Sequence, residues 1–178
     1  MVSLKIKEFE PTIMKMKCII YNVFFLTIIF SILISCNNNS TTAIMPKLQT
    51  HAFRLKPGSD LKKSIQSFVS EHNIKAGWLS TCAGSLTDYH IRFANQPEGN
   101  RGKGHFEIVS LTGTLSVNGC HIHISISDST GNTFGGHMMD SCIIYTTAEI
   151  VLQSTDEFIF KREKDGTTDW EELQVSKE

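Results

Sequence analysis

From Gly119 to Asp128 the chain reads Gly-Cys-His-Ile-His-Ile-Ser-Ile-Ser-Asp, and the alternation is unbroken. Ile122, Ile124 and Ile126 fall on one side, His121, His123, Ser125 and Ser127 on the other. Period two is the mark of a strand with one buried and one wet face, so the isoleucines demand a core and the histidines are left outside it. Ser129-Thr130-Gly131-Asn132-Thr133 supplies the polar side chains and glycine of a tight turn, and Phe134-Gly135-Gly136-His137-Met138-Met139 leads back as a second strand. A turn centred near Thr130 sets His123 opposite His137, where cross-strand Cβ atoms are about 4.5–5.5 Å apart. His121 is one same-face step away. Three imidazoles then meet on one patch.

Neutral imidazole is a ligand for zinc and other first-row metals, and three of them leave a fourth position open. His121, His123 and His137 are therefore the candidate metal ligands. Zn²⁺ is the expected ion, with Fe, Ni or Cu as the other candidates, because no thiolate joins the set. The alternative is two histidines on the polar face of a strand and a third met by accident of register, since a slip of one residue would turn His137 to the other face. The paired glycines Gly135 and Gly136 allow either a bulge or a close backbone approach just before His137.

The N-terminal region has a different character. Lys15 and Lys17 precede an apolar run from Cys18 to Ile34, the order of a signal peptide. The run closes on Leu33-Ile34-Ser35-Cys36, which resembles a bacterial lipoprotein signal; the resemblance implies diacylation of Cys36 and attachment to the membrane of the cell envelope. Residues 1–35 are then the signal, and residues 36–47, opening with Asn37-Asn38-Asn39-Ser40, are a polar tether. A transmembrane anchor is the alternative, as the run approaches the roughly 20 residues that span a bilayer. Translation from Met14 or Met16 would trim the acidic start, and translation from Met45 would leave the protein cytoplasmic.

The chain beyond Cys36 is long enough for one domain with a core of its own. It carries 13 Lys and Arg against 16 Asp and Glu, a net charge of −3. Lys62-Lys63 and Lys161-Arg162 are isolated doublets that read as solvated surface, so nucleic-acid binding has no electrostatic support. Cys82, Cys120 and Cys142 match no zinc-finger spacing; Cys120 shares the isoleucine side of its strand and reads as core, and a disulfide between two of the three stays open.

The domain begins with a strand, His51 to Leu55, stopped by Lys56-Pro57-Gly58. Ser59 or Asp60 can cap a helix in which Leu61, Ile65, Phe68 and Val69 recur at helical spacing. Strands are expected over Ala76–Ala83 and Tyr89–Ala94, separated by a turn or kink at Gly84-Ser85-Leu86-Thr87. An exposed loop is expected from Asn95 to Gly104. Further strands are expected at Gly104–Leu115, bent at Gly113, at Cys142–Leu152 and at Phe158–Glu163, with a polar tail beyond. One early helix followed by many strands predicts an α+β fold: a single compact domain with a curved, mainly antiparallel β-sheet packed against one or two helices.

His51-Ala52-Phe53-Arg54-Leu55-x-x-Gly58, Gly104-x-Phe106-Glu107-Ile108-Val109-Ser110-Leu111-x-Gly113, His121-x-His123-x-Ser125-x-Ser127-Asp128, Gly135-Gly136-His137 and Thr147-Ala148-Glu149 occur in this order. Together they resemble the plant and prokaryote conserved domain, PPC or DUF296, over residues 48–175, with 176–178 as a tail. The resemblance implies the same α+β fold and a homotrimer. It also implies that the histidine triad is that of the bacterial and archaeal branch, where it is a metal site. The family is labelled DNA-binding through plant members that add an AT-hook, a segment this chain does not contain.

Two functional classes emerge, an exported metal-binding module and, alternatively, a DNA-binding regulator, with a trimeric scaffold behind them. If the module is an enzyme, Glu107 or Glu149 is the candidate general base, though either also reads as a structural carboxylate. No motif names a reaction, a small-molecule ligand or a substrate.

Overall fold

A computed structural model describes residues 47–178. The expected signal peptide, Cys36 and all of the tether but its last residue lie outside the described residues.

Eight strands and one helix make up the described chain. In order they are β1 (Leu48–Leu55), α1 (Leu61–Glu71), β2 (Gly77–Arg92), β3 (Asn100–Ser116), β4 (Gly119–Ser127), β5 (Thr133–Met138), β6 (Ile143–Thr155), β7 (Phe158–Glu163) and β8 (Glu172–Lys177). Six strands form one sheet in the order β1-β6-β2-β3-β4-β5, every pairing antiparallel. The expected α+β class holds.

The helix forms where its signals lie. Asp60 caps it, its carboxylate accepting from the Lys63 backbone N–H at 3.2 Å. Leu61, Ile65 and Val69, one turn apart, are buried against the sheet, where they meet Leu115, Ile122 and Ile144 in a single hydrophobic cluster. Ile122, Ile124 and Ile126 are at most 2% exposed, as the alternation of β4 requires.

Three expectations are corrected. Of the turn or kink expected at Gly84-Ser85-Leu86-Thr87 the turn is absent: β2 runs through as one strand of 16 residues, with register shifts at Gly84/Leu86 and Leu86/Asp88 against β6 and at Leu86/Asp88 against β3. Gly84 is there because β6 passes close by, an added Cβ falling 2.8 Å from Ala148 Cα. The loop expected up to Gly104 is shorter, because β3 already begins at Asn100, paired with Ile91. The stretch beyond Glu163 is also more than a polar tail. It returns as β8, which pairs with β7 from Phe158↔Lys177 to Glu163↔Glu172 in a separate two-stranded sheet.

One further pairing shapes the site. The last residues of β2 join β5, Ile91 opposite Met138 and Arg92 opposite His137. Strands β2, β3, β4 and β5 thus close on themselves at this end, which curls the sheet and brings Arg92 beside the histidine hairpin.

Candidate metal centre

The β4–β5 hairpin has the register that the alternation predicted, with His123 opposite His137 and Ser127 opposite Thr133. Its turn is held by Asp128, whose Oδ1 accepts from the backbone N–H of Thr130 at 2.8 Å and of Asn132 at 3.0 Å. Gly131 takes a φ of +86°, a conformation that costs other residues strain. Gly135 and Gly136 form no bulge; they permit close approach. A Cβ on Gly135 would sit 2.9 Å from Ser125 Cα in β4, and on the other side of β4 a Cβ on Gly113 would sit 2.8 Å from Ile122 Cα. The histidine strand is therefore clamped between two glycines.

His121, His123 and His137 come together, each offering a nitrogen within 4.8 Å of the others. The Nε2 atoms of His121 and His123 are 3.1 Å apart. Two imidazole nitrogens on one tetrahedral zinc are separated by about 3.3 Å, given Zn–N bonds of about 2.0–2.1 Å, so the pair already has the spacing of metal ligands. His137 Nδ1 is buried without a hydrogen-bond partner among the described residues. A buried polar nitrogen left unpaired is costly, and a cation is one way to satisfy the cluster.

The electrostatics favour the neutral, ligating form. Burial first, then His121 and the cation of Arg92, pushes the His137 pKa down to about 4. Burial also lowers that of His121, with His123 and Arg162 adding to it. At neutral pH these two rings carry lone pairs ready for a metal. The three rings thus form a cluster able to coordinate a divalent ion.

The triad opens into a cleft of about 740 Å³ lined by residues that the sequence pattern put elsewhere. Arg162 and Lys62, read as members of surface doublets, both line it, as do Arg92, Lys164 and Trp170. Arg162 Nη2 lies 3.4 Å from His121 Nδ1 and also donates to the Glu171 carbonyl. The Arg92 guanidinium lies 4.4 Å over the Trp170 ring. The carboxylates here are Asp169, Glu171 and Glu172. Glu107 and Glu149 are exposed and do not line the cleft, so neither stands beside the triad as a general base. The signal that could have found the cleft wall is Trp170 itself, a lone large ring in an otherwise polar stretch.

Cys82 and Cys142 are buried and Cys120 is half-buried, all three as free thiols. Cys120 packs against the core and its Sγ is 3.3 Å from Gln66 Nε2, which donates to it.

Known proteins place this architecture. The chain is 38% identical over 130 residues, 73% of its length, to a bifunctional protein GlmU of Synechococcus sp. (strain JA-3-3Ab), but spans only 21% of that protein. A hypothetical protein from Salmonella cholerae-suis (aka Salmonella enterica) superposes with a TM-score of 0.73 at 35% identity, covering 75% of this chain and 96% of the other. A protein from Archaeoglobus fulgidus described as metal-containing superposes with a TM-score of 0.63 at 23% identity, covering 73% and 96%. The Plants and Prokaryotes Conserved (PCC) domain matches residues 43–156, well over half of the chain, and the chain belongs to that family.

Proposed function

We propose that this protein is a metal-binding module in which His121, His123 and His137 hold Zn²⁺. The observation that carries the reading is the convergence of three ligand nitrogens within 4.8 Å, two of them already at ligand spacing. Three neutral imidazoles leave the ion its full double charge and an open position, and such an ion supplies Lewis-acid polarisation of a bound oxygen. Metal analysis of the chain purified without a polyhistidine tag tests this. One equivalent of zinc in the wild type, and its loss in His123→Ala, is the expected result. A wild type that is metal-free and refuses added zinc overturns it.

The proposal extends to where the module works. Leu33-Ile34-Ser35-Cys36 after an apolar run supports diacylation at Cys36, and two acyl chains suffice for stable anchoring. Cys36→Ala should release the protein from membranes; wild-type protein found soluble in the cytoplasm and starting at Met45 would refute the anchor. The triad also supports placing the chain in the bacterial and archaeal branch of its family.

A homotrimer is supported by the sheet face that α1 leaves uncovered, where Val109 and Tyr145 are 57% and 44% exposed. Light scattering that finds a stable monomer at micromolar concentration would remove it. Duplex DNA is not proposed as a partner, because a net charge of −3 beyond Cys36 gives little counterion release to drive binding. Tight, salt-sensitive DNA binding would reverse that judgement in favour of the regulatory reading.

A further inference from the structure

Beside the triad stand two arginines with nothing acidic to hold. Among the described residues no carboxylate lies within 4.0 Å of Arg92 or Arg162, since the ion pairs there are Lys62–Asp140, Lys75–Glu178 and Lys103–Asp88. Both side chains are half-buried, and both line the cleft into which the histidines open. A guanidinium offers five N–H donors in a planar fork that matches a carboxylate, and Arg162, which gives one to the Glu171 carbonyl, and Arg92, which stacks on Trp170, have no anionic partner for the rest among the described residues.

We propose that this cleft binds a small organic carboxylate, one oxygen facing the open position of the triad's metal and the carboxylate held by Arg92 and Arg162. The inference rests on the metal reading and adds the ligand class. Three observations narrow that class. First, the volume, about 740 Å³, is that of a small-molecule site. Second, the lining carries four cationic side chains, Lys62, Arg92, Arg162 and Lys164, against Asp169, Glu171 and Glu172. With the metal's own double charge the cleft is cationic overall and suits an anion, while the three nearby carboxylates work against the more highly charged dianion of a phosphate ester. Third, the Trp170 ring is 56% exposed beside Arg92, and with Met139 it gives the cleft an apolar wall for an organic body.

The contact between Arg162 and His121 adds a coupling. Arginine only donates, so the 3.4 Å approach makes His121 Nδ1 the acceptor and leaves its proton on Nε2. A metal on Nε2 requires the other tautomer, with the proton on Nδ1 facing the guanidinium. Arg162 then has a donor and no acceptor at that end, and a carboxylate in the cleft provides one. Arg162, Trp170 and the three acidic residues all lie beyond residues 43–156, so this wall comes from β7, β8 and their connection and not from the stretch that the family shares.

The test uses the full chain loaded with Co²⁺, whose visible spectrum reports changes at its coordination sphere, with cobalt stoichiometry measured separately. Benzoate is the probe, benzamide its neutral counterpart, and inorganic phosphate the competing anion. Benzoate should shift the spectrum and benzamide should not. Arg92→Gln and Arg162→Gln should each weaken benzoate about tenfold or more, the loss expected for a charge-assisted hydrogen bond, with cobalt still bound one to one. Trp170→Ala, at an exposed position where folding is not at risk, should weaken benzoate more than acetate. Lys63→Gln, on α1 but outside the cleft, should match the wild type. One equivalent of cobalt with no benzoate response, variants that bind like the wild type, or phosphate bound more tightly than benzoate overturns this inference alone. Failure to take up cobalt overturns the metal reading and this inference with it.

Discussion

Replacing Gly113 by Ala should damage the metal site from outside it. Gly113 lies opposite Ile122, between the pairs Thr112↔His123 and Thr114↔His121, so β3 presses on β4 at the residue between the two histidines. The new methyl would fall on the His121 carbonyl oxygen and 2.8 Å from Ile122 Cα. Ordinary carbon–carbon contact begins near 3.4 Å, so the strands must part by at least about 0.6 Å, more to clear the nearer carbonyl oxygen, and the obstacle is backbone that no rotamer change can clear. Overpacking of this kind costs about 1–3 kcal/mol. Metal ligands tolerate only about 0.2 Å, so zinc affinity should fall about 10- to 100-fold as well. Urea unfolding of the metal-free chain reads the first effect, and competition with a chromophoric chelator reads the second. Gly131→Ala is the contrast: nothing lies within 4 Å, its φ of +86° makes the substitution strained, and it should cost about 1 kcal/mol with zinc affinity little changed. A Gly113→Ala protein within about 0.5 kcal/mol and twofold of wild type would refute the clamp.

The metal-free protein should lose stability as pH falls from about 6.5 toward 4. Unfolded His137 takes up a proton near its ordinary value of 6.5 and the folded form does not until about 4, so acid favours the unfolded chain, by about 1–2 kcal/mol once solvent screening of this half-exposed ring is allowed for. Urea midpoints at pH 7.5 and 4.5 check the sign, and a flat or opposite trend defeats it. The thiols should rank by burial: desolvation raises Cys82 to about 12 and Cys142 to about 11, so at pH 8 both should resist a disulfide reagent until unfolding. Half-buried Cys120 should react first, as peptide mapping of the label would show; prior labelling of Cys142 would contradict the packing.

The parts of the fold legible in the sequence are those governed by short-range periodicity. The alternation of β4, the turn at Thr130 and the cap at Asp60 each depend on neighbours within a few residues, and the first two place the triad without any long-range assumption. Gly84 misled in part for the opposite reason, and the purpose of Gly113 was hidden in the same way. A glycine in a strand reads locally as a break, but at these two positions the cause is a neighbouring strand, β6 or β4, whose path the local sequence does not encode.

The wall of the site was hidden by the same logic. Residues 164–171 are nearly all polar or charged, the composition of a tail, and Arg162 sits in a doublet that reads as surface. Only the β7–β8 pairing turns that segment back, and only the contact between β2 and β5 sets Arg92 next to His137. A triad built from one hairpin is a local feature and can recur wherever the hairpin does. A cleft that needs Arg92 from β2, Arg162 from β7 and Trp170 from beyond it depends on two pairings outside that hairpin, β2 with β5 and β7 with β8. On the carboxylate proposal, Arg162 and Trp170 come from the segment after Thr155 while Arg92 does not, so truncation there should leave the hairpin's histidines in register and weaken the grip to that of Arg92 alone.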